Sequence, residues 1–305
     1  MKYYFFIFLL RILLIFVAGN NVADATCLVD PDDPPQVIYN YDFGNIIVPP
    51  NARVGDVLAT VALGDPDDTS VECNNDPGTV SQWIVAPWTT LTSVSYTYAT
   101  NIPGVGIKVT TAGGWPYSTN GNPRQWTTIR VAVGRATVYL IKTDEILNGG
   151  ALTTGLVGEV RDDFNHNVVQ VVLTNATISL PACNVNNGNP IDVDFGSAVA
   201  VTDVAAGTVE KSIDYTLTCT YDNYGLKMKI LGTGASFDND LLKTNINEMG
   251  IKVTANGTAL PLNTDLNFAS AAAKPALKAI LTQQPGARLP TGAFTASATM
   301  RVEYQ

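Results

Sequence analysis

Short runs rich in β-branched and aromatic residues recur along this chain, and Gly, Pro, Asn or Asp residues separate one run from the next. Examples are VLATVAL, TTIRVAVG, ATVYLIKT and NVVQVVLT in the first half, and SIDYTLTCTY, LKMKILG and GIKVTANG in the second half. Such runs are typical of β-strands, and the residues between them are typical of turns. Because no long amphipathic helical pattern accompanies them, the runs predict an all-β protein built from sandwiches or barrels.

The length of the chain and a junction near its middle indicate two domains in series. The 305 residues are enough for two ordinary domains. The segment NATISLPAC, from Asn175 to Cys183, joins two groups of strand-like runs, and its Pro181 favours a short junction over a long flexible linker. We therefore predict two β-sandwich domains, at residues 26–176 and 177–305.

The first 25 residues have the pattern of a secretory signal peptide. An early Lys2 precedes an apolar run that contains Arg11, and the segment ends with the small residues Ala23 and Ala25. A membrane anchor is the alternative, but Arg11 divides the apolar run into pieces shorter than the roughly 20 residues that span a bilayer. We expect cleavage after Ala25 and export to an oxidising compartment.

Four cysteines remain after this cleavage, and they fall into an early pair, Cys27 and Cys73, and a late pair, Cys183 and Cys219. In an oxidising compartment, the simplest pairing is one disulfide in each half of the chain. Each bridge would close a loop of about 40 residues, which the chain-entropy model values at about 4 kcal/mol. A zinc site is the alternative, but the sequence has no C-x-x-C and only one histidine, His166. We predict no metal.

Charge and motif content argue against several classes of function. A formal net charge of −9 repels phosphate backbones, so nucleic acid is not an expected partner. The sequence has no G-x-S-x-G, P-loop, H-E-x-x-H or dinucleotide-binding glycine pattern. A glycoside hydrolase needs only two well-placed carboxylates, so a secreted hydrolase stays open as an alternative. The prediction is a protein that is not an enzyme and has no cofactor.

The last residues of the chain form its most regular alternating pattern. Polar residues separate six less polar ones, which are Phe294, Ala296, Ala298, Met300, Val302 and Tyr304. With the two-residue period of a strand, these six residues share one face, and we expect that face to be buried. A terminal strand of an ordinary sandwich would show the same pattern.

Several stretches of the second half resemble the pilin domain of chaperone–usher fimbriae. They are CNVNNGNPIDVDFGSAVA, the cysteine-containing YTLTCTY, GIKVTANGTALPL, and the closing stretch from Gly292 to Tyr304. The resemblance covers roughly residues 177–305 and implies an immunoglobulin-like sandwich that lacks its last strand. The segment from Phe294 to Tyr304 would then form one wall of an open hydrophobic groove.

The pilin resemblance also implies partners. A periplasmic fimbrial chaperone would first lend a strand to the groove, and an adjacent fimbrial subunit would then replace it during assembly at an outer-membrane usher. Here a whole domain precedes the pilin domain, as in the two-domain adhesins at fimbrial tips. A subunit that accepts a strand and donates none stands at the distal end of a fibre, so the expected location is the cell surface, at the fimbrial tip.

The first half has a weaker likeness to the lectin domains of these tip adhesins. It is carried by Cys27 close to the cleavage site, VECNNDPG around Cys73, and the phrase TNIPGVGIKV. Matched to the sugar pockets of that family, the candidate ligand-binding residues are Asn75, Asp76, Lys142 and Asp144. Because the mature chain would begin with Thr26 and not with an aromatic residue, the resemblance implies a host glycan or glycoprotein ligand but not mannose.

Aromatic rings complete the candidate sugar site, because they pack against the apolar face of a sugar ring. Trp83 falls near the matched pocket, and Trp115 and Tyr117 lie in GGWPYSTNGNP, which is too rich in Gly, Pro and Asn for a strand. Trp126 lies in a strand-like run and is expected in the core. Ordinary explanations stay open: NNDP reads as a turn, and Asp144 as a solvated loop charge.

Three functions therefore compete. The leading one is a fimbrial tip adhesin with a lectin-like domain and a strand-accepting pilin domain. The second is a minor structural subunit that caps or initiates a fibre without binding a host ligand. The third is the secreted hydrolase.

Overall fold

The computed structural model describes residues 27–73, 78–126 and 130–305. Contacts between these residues divide the chain into two compact units. The first unit contains residues 27–46 and 52–179, and the second contains residues 47–51 and 180–305. The predicted signal peptide, Asn75 and Asp76 lie outside the described residues.

The first unit contains 13 described strands. In chain order they are β1 Cys27–Val29, β2 Val37–Ile47, β3 Val57–Leu63, β4 Ser70–Cys73, β5 Gly78–Ile84, β6 Tyr98–Ala99, β7 Val105–Thr111, β8 Arg124–Trp126, β9 Arg130–Ala132, β10 Ala136–Lys142, β11 Gly150–Ala151, β12 Gly155–Arg161 and β13 Asn167–Ser179. A short 3-10 turn at Pro66–Asp68 precedes β4.

Three antiparallel sheets build the first unit. Their strand orders are β1-β4-β9, β3-β10-β7-β6 and β11-β13-β12-β5-β8, with β2 paired to β13. Two of these sheets meet where the buried Tyr41 hydroxyl on β2 donates a 2.7 Å hydrogen bond to the Ala136 carbonyl on β10. The core between them holds large apolar side chains such as Trp88, Ile107 and Leu140, because alternate residues of each strand point inward.

The second unit contains 11 strands and one short helix. The strands are β14 Cys183–Val185, β15 Glu210–Ile213, β16 Leu217–Cys219, β17 Leu226–Leu231, β18 Gly234–Ala235, β19 Asp238–Lys243, β20 Met249–Ala255, β21 Thr258–Ala259, β22 Leu266–Phe268, β23 Leu277–Gln283 and β24 Thr299–Tyr304. The helix α1 is Val201–Ala205, and 3-10 turns occur at Asn186–Gly188 and Ala271–Ala273.

The second unit is also a sandwich. One sheet has the order β15-β23-β20-β19-β18 with β21 paired to β20, and another has the order β22-β17-β24. Met228 of β17 and Val302 of β24 belong to the same buried cluster as Ile251 of β20 and Leu281 of β23, so the two sheets share one core. The pair β14-β16 completes the unit. The prediction of an all-β protein with two sandwiches is confirmed.

Each unit carries one disulfide. Cys27 on β1 is bonded to Cys73 on β4, and Cys183 on β14 is bonded to Cys219 on β16. In both cases the two cysteines lie directly opposite each other in an antiparallel pair. The predicted pairing is confirmed. Among the described residues, no helix is long and apolar enough to span a membrane.

Candidate functional sites

The C-terminal strand lies at the edge of its sheet. β24 pairs on one side with β17, placing Val302 opposite Met228, and it has no strand on its other side among the described residues. Such an edge presents a row of unpaired backbone N–H and C=O groups, to which another strand can add. The edge therefore has the geometry for strand addition.

The alternating pattern predicted a strand from Phe294 to Tyr304, but the strand in the structure begins at Thr299. Of the six residues expected to share a buried face, only Val302 is buried, at 8% exposure. Three are half-buried, Phe294, Met300 and Tyr304, and the remaining two, Ala296 and Ala298, are exposed. The pattern was therefore right in period and wrong in burial, because residues 294–298 pair with no described strand.

A second extended segment, residues 191–200, also belongs to no sheet. Its side chains nevertheless alternate: Ile191, Val193 and Phe195 are half-buried, and Asp192 and Asp194 are exposed. This alternation is that of a strand with one face on the core. The half-buried residues pack against the buried cluster of the second unit.

Residues 193–200 of the second segment and Phe294 of the first line one groove. Its volume is about 820 Å³, and its lining includes Val193, Phe195, Ile246, Met249 and Phe294. The Phe195 and Phe294 rings touch across it, with centroids 5.7 Å apart. The lining is apolar except for hydroxyls, backbone groups and one carboxylate, that of Asp194. The groove can therefore take an extended segment with alternating apolar side chains.

Among the described residues of the first unit, the predicted ligand-binding residues Lys142 and Asp144 lie apart from Trp115. Lys142, at the end of β10, donates a 2.7 Å hydrogen bond from Nζ to the Ala52 carbonyl, and Asp144 is exposed in the loop that follows. Trp115 follows β7, beyond Thr111. Because Thr111 pairs with Ala136 at the other end of the seven-residue β10, about 20 Å of strand separates Lys142 from the Trp115 loop.

The predicted aromatic residues differ in exposure. Trp115 is 38% exposed, whereas Tyr117 is 0% exposed and therefore presents no ring face to a ligand. Burial raises the pKa of the Tyr117 hydroxyl, because its ionised form loses hydration. Trp83 is half-buried; its indole N–H donates to the Ser81 hydroxyl at 2.8 Å, and the Arg161 guanidinium lies 4.9 Å from its ring.

Gly158 on β12 makes room for the buried Tyr117 ring. A Cβ at Gly158 would lie 2.7 Å from Tyr117 Cδ2 and 2.8 Å from the Trp83 carbonyl oxygen. We expect Gly158→Ala to lower the free energy of unfolding by about 2 kcal/mol, as overpacking does. Urea unfolding followed by tryptophan fluorescence measures this, since all four tryptophans lie in the first unit.

Tyr117→Phe is the control for Gly158→Ala, and we expect the opposite result. The Tyr117 hydroxyl is buried without a hydrogen-bond partner among the described residues, so its removal should raise the free energy of unfolding by about 1 kcal/mol. A loss of stability from Tyr117→Phe, or none from Gly158→Ala, would contradict the core assignment.

A small pocket beside Trp115 contains residues that sequence reasoning missed. Its volume is about 140 Å³, and its lining includes Val80, Gln82, Trp115, Trp126 and Arg135. Gln82 is only 3% exposed. Its Oε1 and the Trp126 indole N–H are buried and have no hydrogen-bond partner among the described residues.

A signal for Gln82 is present in the sequence of β5. This strand alternates strictly between buried and half-buried residues, and Gln82 occupies a buried position between Val80 and Ile84. A polar side chain at an inward position of an alternating strand is uncommon unless it has a partner. The alternation along TVSQWIV therefore identifies Gln82 as a candidate functional residue, whereas its residue type alone would not.

Two family models match adjoining parts of the chain. One, described as a fimbrial protein, matches residues 172–305, and the other, described as a MrkD-like receptor binding domain, matches residues 39–176. The fimbrial-like protein YfcQ of Escherichia coli K12, itself uncharacterised, is 30% identical over 134 residues, which are 42% of this chain and 82% of YfcQ.

Two Klebsiella pneumoniae proteins are also similar. A fimbria adhesin protein is 26% identical over 166 residues, which are 52% of this chain and 50% of the adhesin. The crystal structure of the receptor binding domain of the adhesin MrkD1P has a TM-score of 0.41 and 23% identity, and the match covers 52% of this chain and 98% of that domain.

Proposed function

We propose that this chain, which belongs to the fimbrial proteins, is the adhesin of a fimbrial tip. It joins a receptor-binding domain to a pilin domain, as two-domain tip adhesins of the chaperone–usher pathway do. Its first unit binds a host-surface glycan or glycoprotein. Its second unit accepts a strand from a periplasmic chaperone and then from the adjacent fimbrial subunit. The reaction is binding without covalent chemistry.

The groove of the second unit is the observation that carries this proposal. Its lining includes residues 193–201 and 289–294, which belong to no sheet, and β24, which begins five residues after Phe294, has one edge unpaired among the described residues. A donated strand would pair its backbone with this edge and place alternate side chains on the apolar lining. The same contact would cover an edge that otherwise favours aggregation.

The location follows from the order of the domains. The receptor-binding domain precedes the pilin domain, where an ordinary pilin carries the extension that it donates. We therefore place the chain at the distal end of the fibre, after export through the periplasm and assembly at an outer-membrane usher. Many fibres on one cell would compensate for weak single contacts by multivalency.

Reconstituted fimbriae test this function. The chain is produced with its chaperone, usher and companion subunits, and the fibres are labelled with an antibody against the first unit. We expect label at the fibre ends, co-purification of the chain with the chaperone before assembly, and binding of fimbriated cells to host epithelial cells. Fimbriae made without the chain serve as the control and should bind at least tenfold fewer host cells.

Two results would overturn the proposal in different ways. Labelled fibres that bind host cells no better than the control would favour the minor structural subunit, which caps the fibre without recognising a ligand. A chain that neither co-purifies with the chaperone nor enters fibres would remove the fimbrial assembly role itself.

A further inference from the structure

We propose that the pocket beside Trp115 is the ligand site of the first unit, and that it binds one sugar residue carrying an acidic group. This inference rests on the proposed adhesive function and names the position and chemical class of its ligand. It replaces the region of Lys142 and Asp144 as the candidate site.

The size of the pocket limits what can enter it. A volume of about 140 Å³ is smaller than the roughly 300–1,000 Å³ of pockets that bury drug-sized ligands. The pocket therefore fits one edge or substituent of a single sugar ring, and the rest of the glycan would extend into solvent.

The unpaired polar atoms indicate hydroxyl groups. Gln82 Oε1 accepts hydrogen bonds and the Trp126 indole N–H donates one, yet both are buried without partners among the described residues. A hydroxyl group can donate to the first and accept from the second. A sugar ring carries several hydroxyls and therefore offers a partner to each of these groups, and the exposed part of Trp115, which also lines the pocket, adds an apolar surface.

Two arginines make the pocket positively charged. Of the described residues that line the pocket, only Arg135 is charged, and the Arg124 guanidinium stacks on Trp115 at 3.1 Å from the ring centroid. Among the described residues neither arginine forms an ion pair with a carboxylate, and Arg124 Nε is buried without a partner. Guanidinium groups bind carboxylate and sulfate groups with paired hydrogen bonds, so the structure favours an acidic sugar.

The position of the pocket also suits a receptor site. The first unit continues into the rest of the chain at the end of β13, where Ile178 pairs with Gly150. The pocket lies toward the opposite end of β13. Its Gln82 pairs with Val160 of β12, and Val160 in turn pairs with Val169 near the start of β13. A ligand there approaches the end of the unit that lies opposite the last residues of β13.

A glycan array tests the assignment. The full chain is purified in complex with its chaperone and applied to sialylated, uronic-acid-containing and sulfated glycans, each beside its neutral counterpart. We expect binding to acidic glycans at least tenfold above the neutral ones, with the preferred class distinguishing a carboxylate from a sulfate. Binding should weaken as salt is raised, because the arginines are partly exposed.

Variants locate the site. Gln82→Met and Arg135→Gln should each lower binding of the acidic glycans at least tenfold. Arg53→Gln is the matched control, since it removes the same charge from an exposed arginine near the Lys142 end of the unit, and it should bind as the parent does. Gln82→Met should also raise the Tm of the first unit by roughly 3 °C, because it removes an unpaired buried amide.

The Tm separates a ligand site from a structural role. If Gln82→Met lowers the Tm, or leaves glycan binding intact, the site assignment is wrong. Equal binding of neutral and acidic glycans would refute the acidic class. Fimbriated cells that bind host cells while the array stays blank would overturn this inference but keep the adhesive function, whereas failure of both would overturn both.

Discussion

Phe294→Asp is expected to keep this chain out of assembled fimbriae. Phe294 lines the groove of the second unit and contacts Phe195 across it. A donated strand would bury the new carboxylate against apolar side chains with no cation nearby in the lining. Burying an unpaired charge costs several kcal/mol, and about 4 kcal/mol lowers an affinity about a thousandfold. Quantitative immunoblots of purified fimbriae measure the loss.

The neighbouring Thr295 provides the control for this prediction. Thr295→Asp places the same charge on the next residue, which alternates with Phe294 and is exposed. Fibres should incorporate this variant normally. Phe294→Ala checks the fold, since it removes the ring without adding charge and should reduce incorporation only modestly. Equal incorporation of Phe294→Asp and Thr295→Asp would refute the groove as the strand acceptor.

Removing the two disulfides separately is expected to disable the two units separately. The bonded cysteines are 46 residues apart in the first unit and 36 in the second, and the chain-entropy model gives about 4 kcal/mol for loops of this length. That is a large share of the 5–15 kcal/mol that stabilises a typical domain. Each double serine variant should therefore unfold one unit at 37 °C.

The readouts of these two variants should be opposite. Cys27→Ser with Cys73→Ser should abolish receptor binding while the chaperone still captures the second unit. Cys183→Ser with Cys219→Ser should abolish chaperone capture, and with it assembly. Co-purification with the chaperone and protease resistance of each unit measure both effects. Loss of chaperone capture in the first variant would show that the units do not fold independently.

The sequence predicted those features that depend on local pattern. The period of two along the strands and the strand-like ending at Tyr304 follow from residue types close together in the chain, and the cysteine pairing follows from the division of four cysteines between the two halves. The start of β24 could not be predicted in this way. A strand is defined by its partner, and residues 294–298 alternate as a strand does although no strand pairs with them in the structure.

The candidate ligand site was harder to predict for a related reason. Tyr117 lies in a loop-like sequence, yet it is buried, because Gly158, 41 positions later in the printed sequence, leaves space for its ring. Gln82 and Trp126 line the same pocket, although the pairing of β5 with β8 places Trp126 opposite Gly78, four residues before Gln82. The likeness of the first half to lectins suggested Lys142 and Asp144 instead. Only the fold shows that about 20 Å of strand separates them from Trp115.

The contact between the Phe195 and Phe294 rings affects the solubility of the second unit. Each ring covers part of the apolar lining of the groove, so less apolar surface is exposed for non-specific association with other proteins. A donated strand, as proposed above, would separate the two rings and lose an aromatic attraction of about 1 kcal/mol. That penalty is small beside the surface which the strand then covers. The ring pair would therefore oppose aggregation of the free unit, and a donated strand would displace it at a small cost in free energy.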